Sequence, residues 1–320
     1  TGSVAQRLAD TPGVARTILD AARAARGMAG ADPRAMSHSW LFTGPPGSGR
    51  SLAALDFAAA LMCTDPEEPG CGRCEACQAV LGAKQHTDLV LVDPQEVIIP
   101  VDTVREVIGR AASLPTVAPW RVVIFNNADR LTNNGANALL KTVEEPPART
   151  VIIMCAPSDA PEDFSQTLRS RCRHLYIPSP SVESITAQLV SEGASDHDAH
   201  LAALTSLRHV GRARRLVNDP AVQKRRAVAI NLAEEVFHGS QGFQAVTSLL
   251  KLVDSEAKES HKEQEEAELA KLEQTLGVGA KGKGAAKAQR DARSAIKDLQ
   301  EQHKKRAKRR VIDNLDLVLV

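Results

Sequence analysis

The stretch Trp40-Leu41-Phe42-Thr43-Gly44-Pro45-Pro46-Gly47-Ser48-Gly49-Arg50-Ser51 decides the fold. An apolar run passes into a glycine-rich loop and then into helix-forming sequence. Gly44, Gly47 and Gly49 let the backbone curl so that several N–H groups point into one concavity, and the following helix adds the positive end of its dipole. Such a loop, Gly44 to Ser51 with Pro45, Pro46 and Ser48 inside it, cradles a polyphosphate when it joins a strand to a helix of a parallel sheet. Arg50 stands where a lysine usually supplies a compact charge, and Ser51 supplies the hydroxyl that meets magnesium.

Working outward, short β-branched or apolar runs alternate with longer helical stretches between about residues 39 and 178, the pattern of a parallel sheet flanked by helices. Expected strands are Ser39–Thr43, Leu89–Val92, Arg121–Phe125, Thr150–Cys155 and His174–Ile177. Expected helices are Ser51–Met62, Val101–Ala112 and Thr132–Val143, the last halted by Pro146-Pro147. After Pro178-Ser179-Pro180 the strands stop. Short helices are expected over Val182–Ser191, Asp196–Leu207 and Gly211–Asn218, then longer ones over Val222–Phe237 and Gly242–Leu252. The fold class is therefore α/β with a phosphate-loop domain over 1–178, a small helical domain over 179–220 and an all-α domain over 221–320.

Residues 255–310 form a charged insert dense in Glu, Lys, Ala and Gln, broken by Gly277-Val278-Gly279-Ala280-Lys281-Gly282-Lys283-Gly284. On either side Leu269, Leu272, Leu276 and Ala292, Ile296, Leu299 recur every three or four residues, a pattern for two long antiparallel helices. The run Lys304-Lys305-Arg306-Ala307-Lys308-Arg309-Arg310 is open to two readings, a phosphate contact or a solvated helix face, and charge runs on helices favour the second.

The 320 residues carry 43% apolar side chains, enough for two or three cores. With 40 basic and 39 acidic residues the net charge is +1, so no overall field draws nucleic acid or membrane and any such contact is local. No apolar run approaches the roughly 20 residues that cross a bilayer, and the N-terminus shows no secretion signal, so the expected location is cytoplasmic, without a membrane partner. Only 3% of residues are aromatic, which leaves few platforms for stacking bases. The chain begins at Thr1 and stops inside the apolar stretch Leu315–Val320, which reads as a chain trimmed at both ends.

Hydrolysis at a phosphate loop needs an aspartate at the end of the next core strand to hold magnesium and a neighbouring glutamate to orient water. Here Val122-Val123-Ile124-Phe125 runs into Asn126-Asn127-Ala128-Asp129. Asparagine keeps the size of the acid and loses its charge. The expected site binds ATP, ADP or phosphate without turnover, unless Asp129, three residues past Asn126, takes the metal. Cys63, Cys71, Cys74 and Cys77 form C-x7-C-x2-C-x2-C, with Gly70 and Gly72 permitting tight turns. Four thiolates suit a closed structural zinc, with disulfides or an iron–sulfur cluster as the other chemistries of such a set. Cys155 and Cys172 stand apart as expected buried hydrophobes. Thr167-Leu168-Arg169-Ser170-Arg171-Cys172 precedes the last strand, where Arg171 can reach a neighbouring molecule's phosphate.

Together, GPPGSGRS at Gly44–Ser51, the four-cysteine insert, ADRLT at Ala128–Thr132, NALLKTVEEPP at Asn137–Pro147 and SRC at Ser170–Cys172 resemble the clamp-loader branch of the AAA+ proteins. Within it they look like the delta-prime family of the bacterial DNA polymerase III holoenzyme, in an actinobacterial-like form. The likeness spans roughly residues 5 to 220. It implies an ATPase-like domain with a zinc module, a helical lid and a helical collar, here incomplete, that assembles a loader ring. It also implies a non-hydrolysing stator, partnered by gamma/tau and delta subunits, the sliding clamp and primer-template DNA. Arg171 would be an arginine finger for a neighbour's ATP site, Arg214 in Gly211-Arg212-Ala213-Arg214 a second phosphate sensor, and Ser158 the first. Two other readings remain open: a gamma/tau-type ATPase motor using Asp129, and a free-standing DNA-binding AAA+ protein.

Overall fold

A computed structural model describes residues 2–94, 97–237, 242–259, 261–275 and, within 296–315, all but 298, 302 and 313. Chain contacts divide it into one unit of residues 1–94 and 98–213 and a second of 95–97 and 214–320.

The first unit is built on five parallel strands: β1 (Ser39–Thr43), β2 (Leu89–Val92), β3 (Arg121–Phe125), β4 (Thr150–Ala156) and β5 (Arg173–Tyr176), in spatial order β2-β3-β4-β1-β5. Every residue of β1, β3 and β4 is buried, as expected of central strands covered on both faces. Helices α1 (Val4–Arg7), α2 (Pro12–Ala25), α3 (Arg50–Met62) and α4 (Glu75–Gln78) pack with one face through Trp40, Phe42, Phe57, Val122 and Ile124. Helices α5 (Val101–Ala111), α6 (Asn133–Glu144) and α7 (Gln166–Arg169) pack with the other through Leu41, Val123, Phe125 and Met154. Successive strand residues thus feed opposite cores, the period-two consequence of the pleat. Central α3 is buried continuously from Ala53 to Met62, with small and apolar side chains except Asp56, which pairs with Arg7.

The unit continues with α8 (Val182–Ser191), α9 (Asp196–Thr205) and the start of α10 (Val210–Asn218). The second unit holds the rest of α10, then α11 (Pro220–Phe237), α12 (Gly242–Glu259) and α13 (Lys262–Thr275). Residues 303–312 are helical and run antiparallel to α13. Glu268 accepts from His303 (2.9 Å) and Arg306 (3.0 Å), while Glu265 one turn earlier accepts from Arg310 (2.6 Å). Leu269, Leu272, Ile296 and Leu299 lie in helical positions; Leu276, Ala292 and the glycine break 277–284 lie outside the described residues.

Several expected bounds move for physical reasons. The last strand is Arg173–Tyr176 rather than His174–Ile177: pairing begins with Arg173 against Trp40, and the ladder's last bond is the Ile177 N–H on the Thr43 carbonyl (2.7 Å), before Pro178, which has no N–H to continue it. Helix α9 ends two residues early, since Leu207 and Arg208 both take positive φ. Helix α10 begins at Val210 because the His209 ring caps it, accepting from the Arg212 N–H (3.3 Å). Pro220 opens α11 at the position that tolerates a missing N–H. The N-terminal helices α1 and α2 are absent from the sequence reading. Among the described residues, no helix is long and apolar enough to cross a membrane.

Candidate functional site

The ends of β1, β3 and β4 deliver the chemistry, since in an open parallel sheet ligands sit beyond the carboxyl ends where the connection direction switches. The phosphate loop leaves β1 and enters α3, whose N-cap is Gly49. Gly47 and Gly49 hold φ of +85° and +88°, which L side chains rarely adopt. At Gly47 there is also no room: a Cβ would lie 2.3 Å from His209 Cγ. The residue just before α10 is thus pressed onto the loop.

Arg50 does not project freely. Its Nη1 donates to the Gly44 carbonyl (2.6 Å), and burial lowers the guanidinium from its ordinary value, offset by the Cys155, Asp129 and Asp163 side chains facing it. Asp129 is solvent-accessible at the mouth of a cavity of about 120 Å³, shared with Glu162, Asp163, Leu131, Phe164 and Leu168. Surrounding protein raises its carboxyl, while Arg130 and Arg50 pull it back down. Ser158, after β4, donates to Asp163 Oδ2 (2.7 Å).

Asn126 follows β3 directly, its N–H donating to the Val92 carbonyl (2.9 Å), and Asn127 turns away with φ 53°. Asn126 Oδ1 and Ser48 Oγ are buried and take no hydrogen bond from the protein. Beside an N–H-lined loop, the Ser48 hydroxyl can donate to a phosphate, whereas Asn126 Oδ1, an acceptor, fits a water. The residues thus fit a phosphate; they lack the acid pair that a hydrolytic magnesium needs.

Cys63, Cys71, Cys74 and Cys77 converge with their sulfurs within 4.8 Å of one another. The Cys63–Cys74 separation of 3.9 Å compares with about 3.8 Å between thiolates around a tetrahedral zinc with bonds of about 2.3 Å. All six cysteines are free thiols in this structure. The Cys74 and Cys77 N–H groups donate to Cys71 and Cys74 sulfur (3.4 and 3.5 Å), the arrangement that supports thiolate. The shared hydrogen bond with Cys77 draws Cys63 down to about 4 and pushes Cys77 up. Gly70, at φ +76°, shapes the turn: its carbonyl accepts from the Val4 N–H (2.8 Å), and a Cβ there would strike the Val4 side chain. The knuckle therefore docks α1, a link the sequence reading missed because a four-residue helix has no periodicity to see. Cys155 and Cys172 are buried, and burial pushes both thiols up to about 12.

Arg171 sits on the surface between α7 and β5, its Nε on Glu144 (2.5 Å) and its Nη1 on the Thr167 carbonyl (2.8 Å). Glu144 lies 27 residues earlier, at the end of α6. Arg214 is exposed on α10 in the second unit. The first unit therefore brings together the phosphate loop, Asn126, Asp129 and Ser158, and keeps the cysteine knuckle and Arg171 as separate features.

Residues 29–181 match the family described as DNA polymerase III, delta subunit. The delta' subunit of Pseudomonas aeruginosa is 36% identical over 165 residues, 49% of this chain and 49% of that protein. That of Escherichia coli is 35% identical, over 52% and 50%. The gamma/tau subunit of Mycobacterium bovis is 34% identical over 52% of this chain and 30% of its own length. The chain spans about half the length of the curated delta' relatives just described. Over that segment the chain is similar to the delta' and gamma/tau subunits of DNA polymerase III.

Proposed function

We propose that this chain is a delta-prime-type clamp-loader subunit, a non-hydrolysing stator. It would help place the sliding clamp on primed DNA and lend Arg171 to the ATP site of a neighbouring gamma/tau subunit. The observation that carries the reading is Asn126-Asn127 at the end of β3, with Arg50 folded onto Gly44 and facing Asp129 and Asp163. Phosphoryl transfer is positioning plus charge stabilisation, and a site with neither a metal-holding acid nor a base to orient water supplies only the positioning. Phosphate held by the N–H groups of Gly47, Gly49, Arg50 and Ser51 would be structural.

Arg171 supplies the complementary half. It is a third exposed, so its guanidinium can leave Glu144 for a more strongly charged partner. An arginine finger delivered in trans is worth about 10³ to 10⁵ in kcat at the site it completes. In this reading 1–178 is the ATPase-like domain, 179–220 the lid carrying Arg214, and 221–320 the collar that meets gamma/tau and delta. Zinc bound by Cys63, Cys71, Cys74 and Cys77 would be purely structural, since all four ligand positions are filled and no site is left open for substrate.

A loader reconstituted from gamma/tau, delta and this chain tests the proposal. Arg171→Ala should lower clamp- and DNA-stimulated ATP hydrolysis while the ring still assembles; unchanged hydrolysis would refute the finger. The similarity to gamma/tau and the exposed Asp129 favour a second reading, an unusual motor. ATP turnover by the isolated chain, abolished by Asp129→Asn, would establish that reading in place of the stator.

A further inference from the structure

Strand β2 is one edge of the sheet, paired only with β3. The Val122 and Asn126 N–H groups donate to the Asp88 and Val92 carbonyls, so by the alternation of a parallel ladder Val90 and Val92 face β3 and the backbone groups of Leu89 and Leu91 point outward. The Leu89 N–H is taken by the His86 carbonyl (3.0 Å). The Leu89 carbonyl and both backbone groups of Leu91 have no partner among the described residues. Leu89 and Leu91 line an open groove of about 540 Å³ with Lys84, Gln85, His86, Thr87 and Arg110. No carboxylate lines it, and neither Lys84 nor Arg110 makes an ion pair among the described residues.

We infer that this groove is a docking site for an acidic, extended peptide segment of a partner protein, which adds to β2 as a sixth strand. Two independent features select that occupant. An outward row of one donor and two acceptors is matched by another extended backbone, which carries both kinds of group, whereas a phosphodiester carries acceptors alone. The two unpaired cations and His86 select carboxylates on alternate residues of that strand. No Phe, Tyr or Trp lines the groove, so unpaired bases find no stacking surface. The site is independent of the phosphate loop and of the clamp-loader reading, since nothing in it draws on either.

The full chain, isotopically labelled, is titrated at low salt with a pool of capped hexapeptides carrying Glu or Asp at alternate positions and Val, Ile or Leu between. Binding should slow hydrogen exchange at the Leu91 amide, the N–H that a new strand would engage. Arg110→Glu combined with Lys84→Asn, which suits the left-handed backbone at Lys84 (φ 54°), should weaken binding at least ten-fold with the fold intact by circular dichroism. Lysine-substituted hexapeptides should not bind. The inference is overturned if the acidic pool fails to bind, if Leu91 gains no protection, or if the double variant binds unchanged. It is equally overturned if an oligothymidylate, rather than the peptides, binds in a manner sensitive to the same two changes. Failure of the peptides would assign Lys84 and Arg110 to guarding an exposed sheet edge.

Discussion

At the residue scale the informative side chains are Arg50, Asn126 and Gly47. Arg50 contributes its charge inward, to the Gly44 carbonyl and toward Asp129 and Asp163, so a phosphate entering the loop competes with contacts already made. Arg50→Lys should therefore raise nucleotide affinity, because an ammonium on a flexible stem leaves those contacts more readily than a planar fork. Turnover should stay absent. Adding Asn126→Asp should make binding magnesium-dependent by about ten-fold, or about 1.4 kcal/mol. Calorimetric titration with and without magnesium reads both effects, and turnover by the single Arg50→Lys variant would contradict the account. Gly47 is constrained twice over, by φ +85° and by His209. Gly47→Ala should cost about 1–3 kcal/mol of stability, read as a lower urea midpoint at unchanged slope. The sequence conveys the need for a glycine there; only the fold reveals that the second constraint comes from residue 209.

At the scale of elements, Asp88 organises the turn into β3. It is fully buried and accepts from the N–H groups of Thr116 (2.8 Å), Val117 (2.8 Å) and Ala118 (2.9 Å) and from Arg121 (2.9 Å). Burial alone would raise its carboxyl, yet those N–H groups and the guanidinium hold it well below the usual carboxylate range. A depressed folded value means the stabilisation is complete above the unfolded value, about 3.9, and is lost as pH falls below it. Asp88→Ala leaves Arg121 buried without its counterion and should cost about 3–5 kcal/mol at neutral pH, with the difference from wild type shrinking in acid denaturation. Removing any ion from the cysteine knuckle with a chelator should open residues 63–77 to protease and release α1, whose Val4 N–H rests on the Gly70 carbonyl. If the chelated protein resists protease, the knuckle is held by packing alone. The strands were legible because buried β-branched runs admit few alternatives, and β1, β2 and β3 match their expected bounds residue for residue. Helix α2 carried a legible signal that went unread, Pro12 at its first turn and Val14, Ile18, Ala21 and Ala22 on one face. Helix α1 carried a shorter one, the Ser3–Gln6 capping box that starts it, and the rest of its support is tertiary, from Gly70 and the Arg7–Asp56 pair.

At the scale of the molecule, a net charge of +1 leaves any affinity for DNA to local clusters, and the strongest is Lys304–Arg310. The fold divides that cluster. Arg306 and Arg310 turn onto Glu268 and Glu265 of α13, while Lys304, Lys305 and Lys308 are exposed. Hydrogen bonding from His303, together with Arg306, holds the Glu268 carboxyl below its usual range, so this contact strengthens the pairing of α13 with 303–312 above the unfolded carboxylate value and is lost as pH falls. Arg306 and Arg310 thus serve internal packing, a role invisible in a sequence where every basic residue looks alike. A free-standing DNA binder would use the exposed lysines, and neutralising three of them would flatten the dependence of log affinity on log salt by about 0.9 for each lost phosphate contact. For a stator, DNA is met only within the assembled ring. The isolated chain should then show only weak, salt-sensitive DNA binding, and Lys304→Gln, Lys305→Gln and Lys308→Gln together should leave clamp loading by the reconstituted complex unchanged. A loss of loading with assembly intact would instead place this helix face on the DNA.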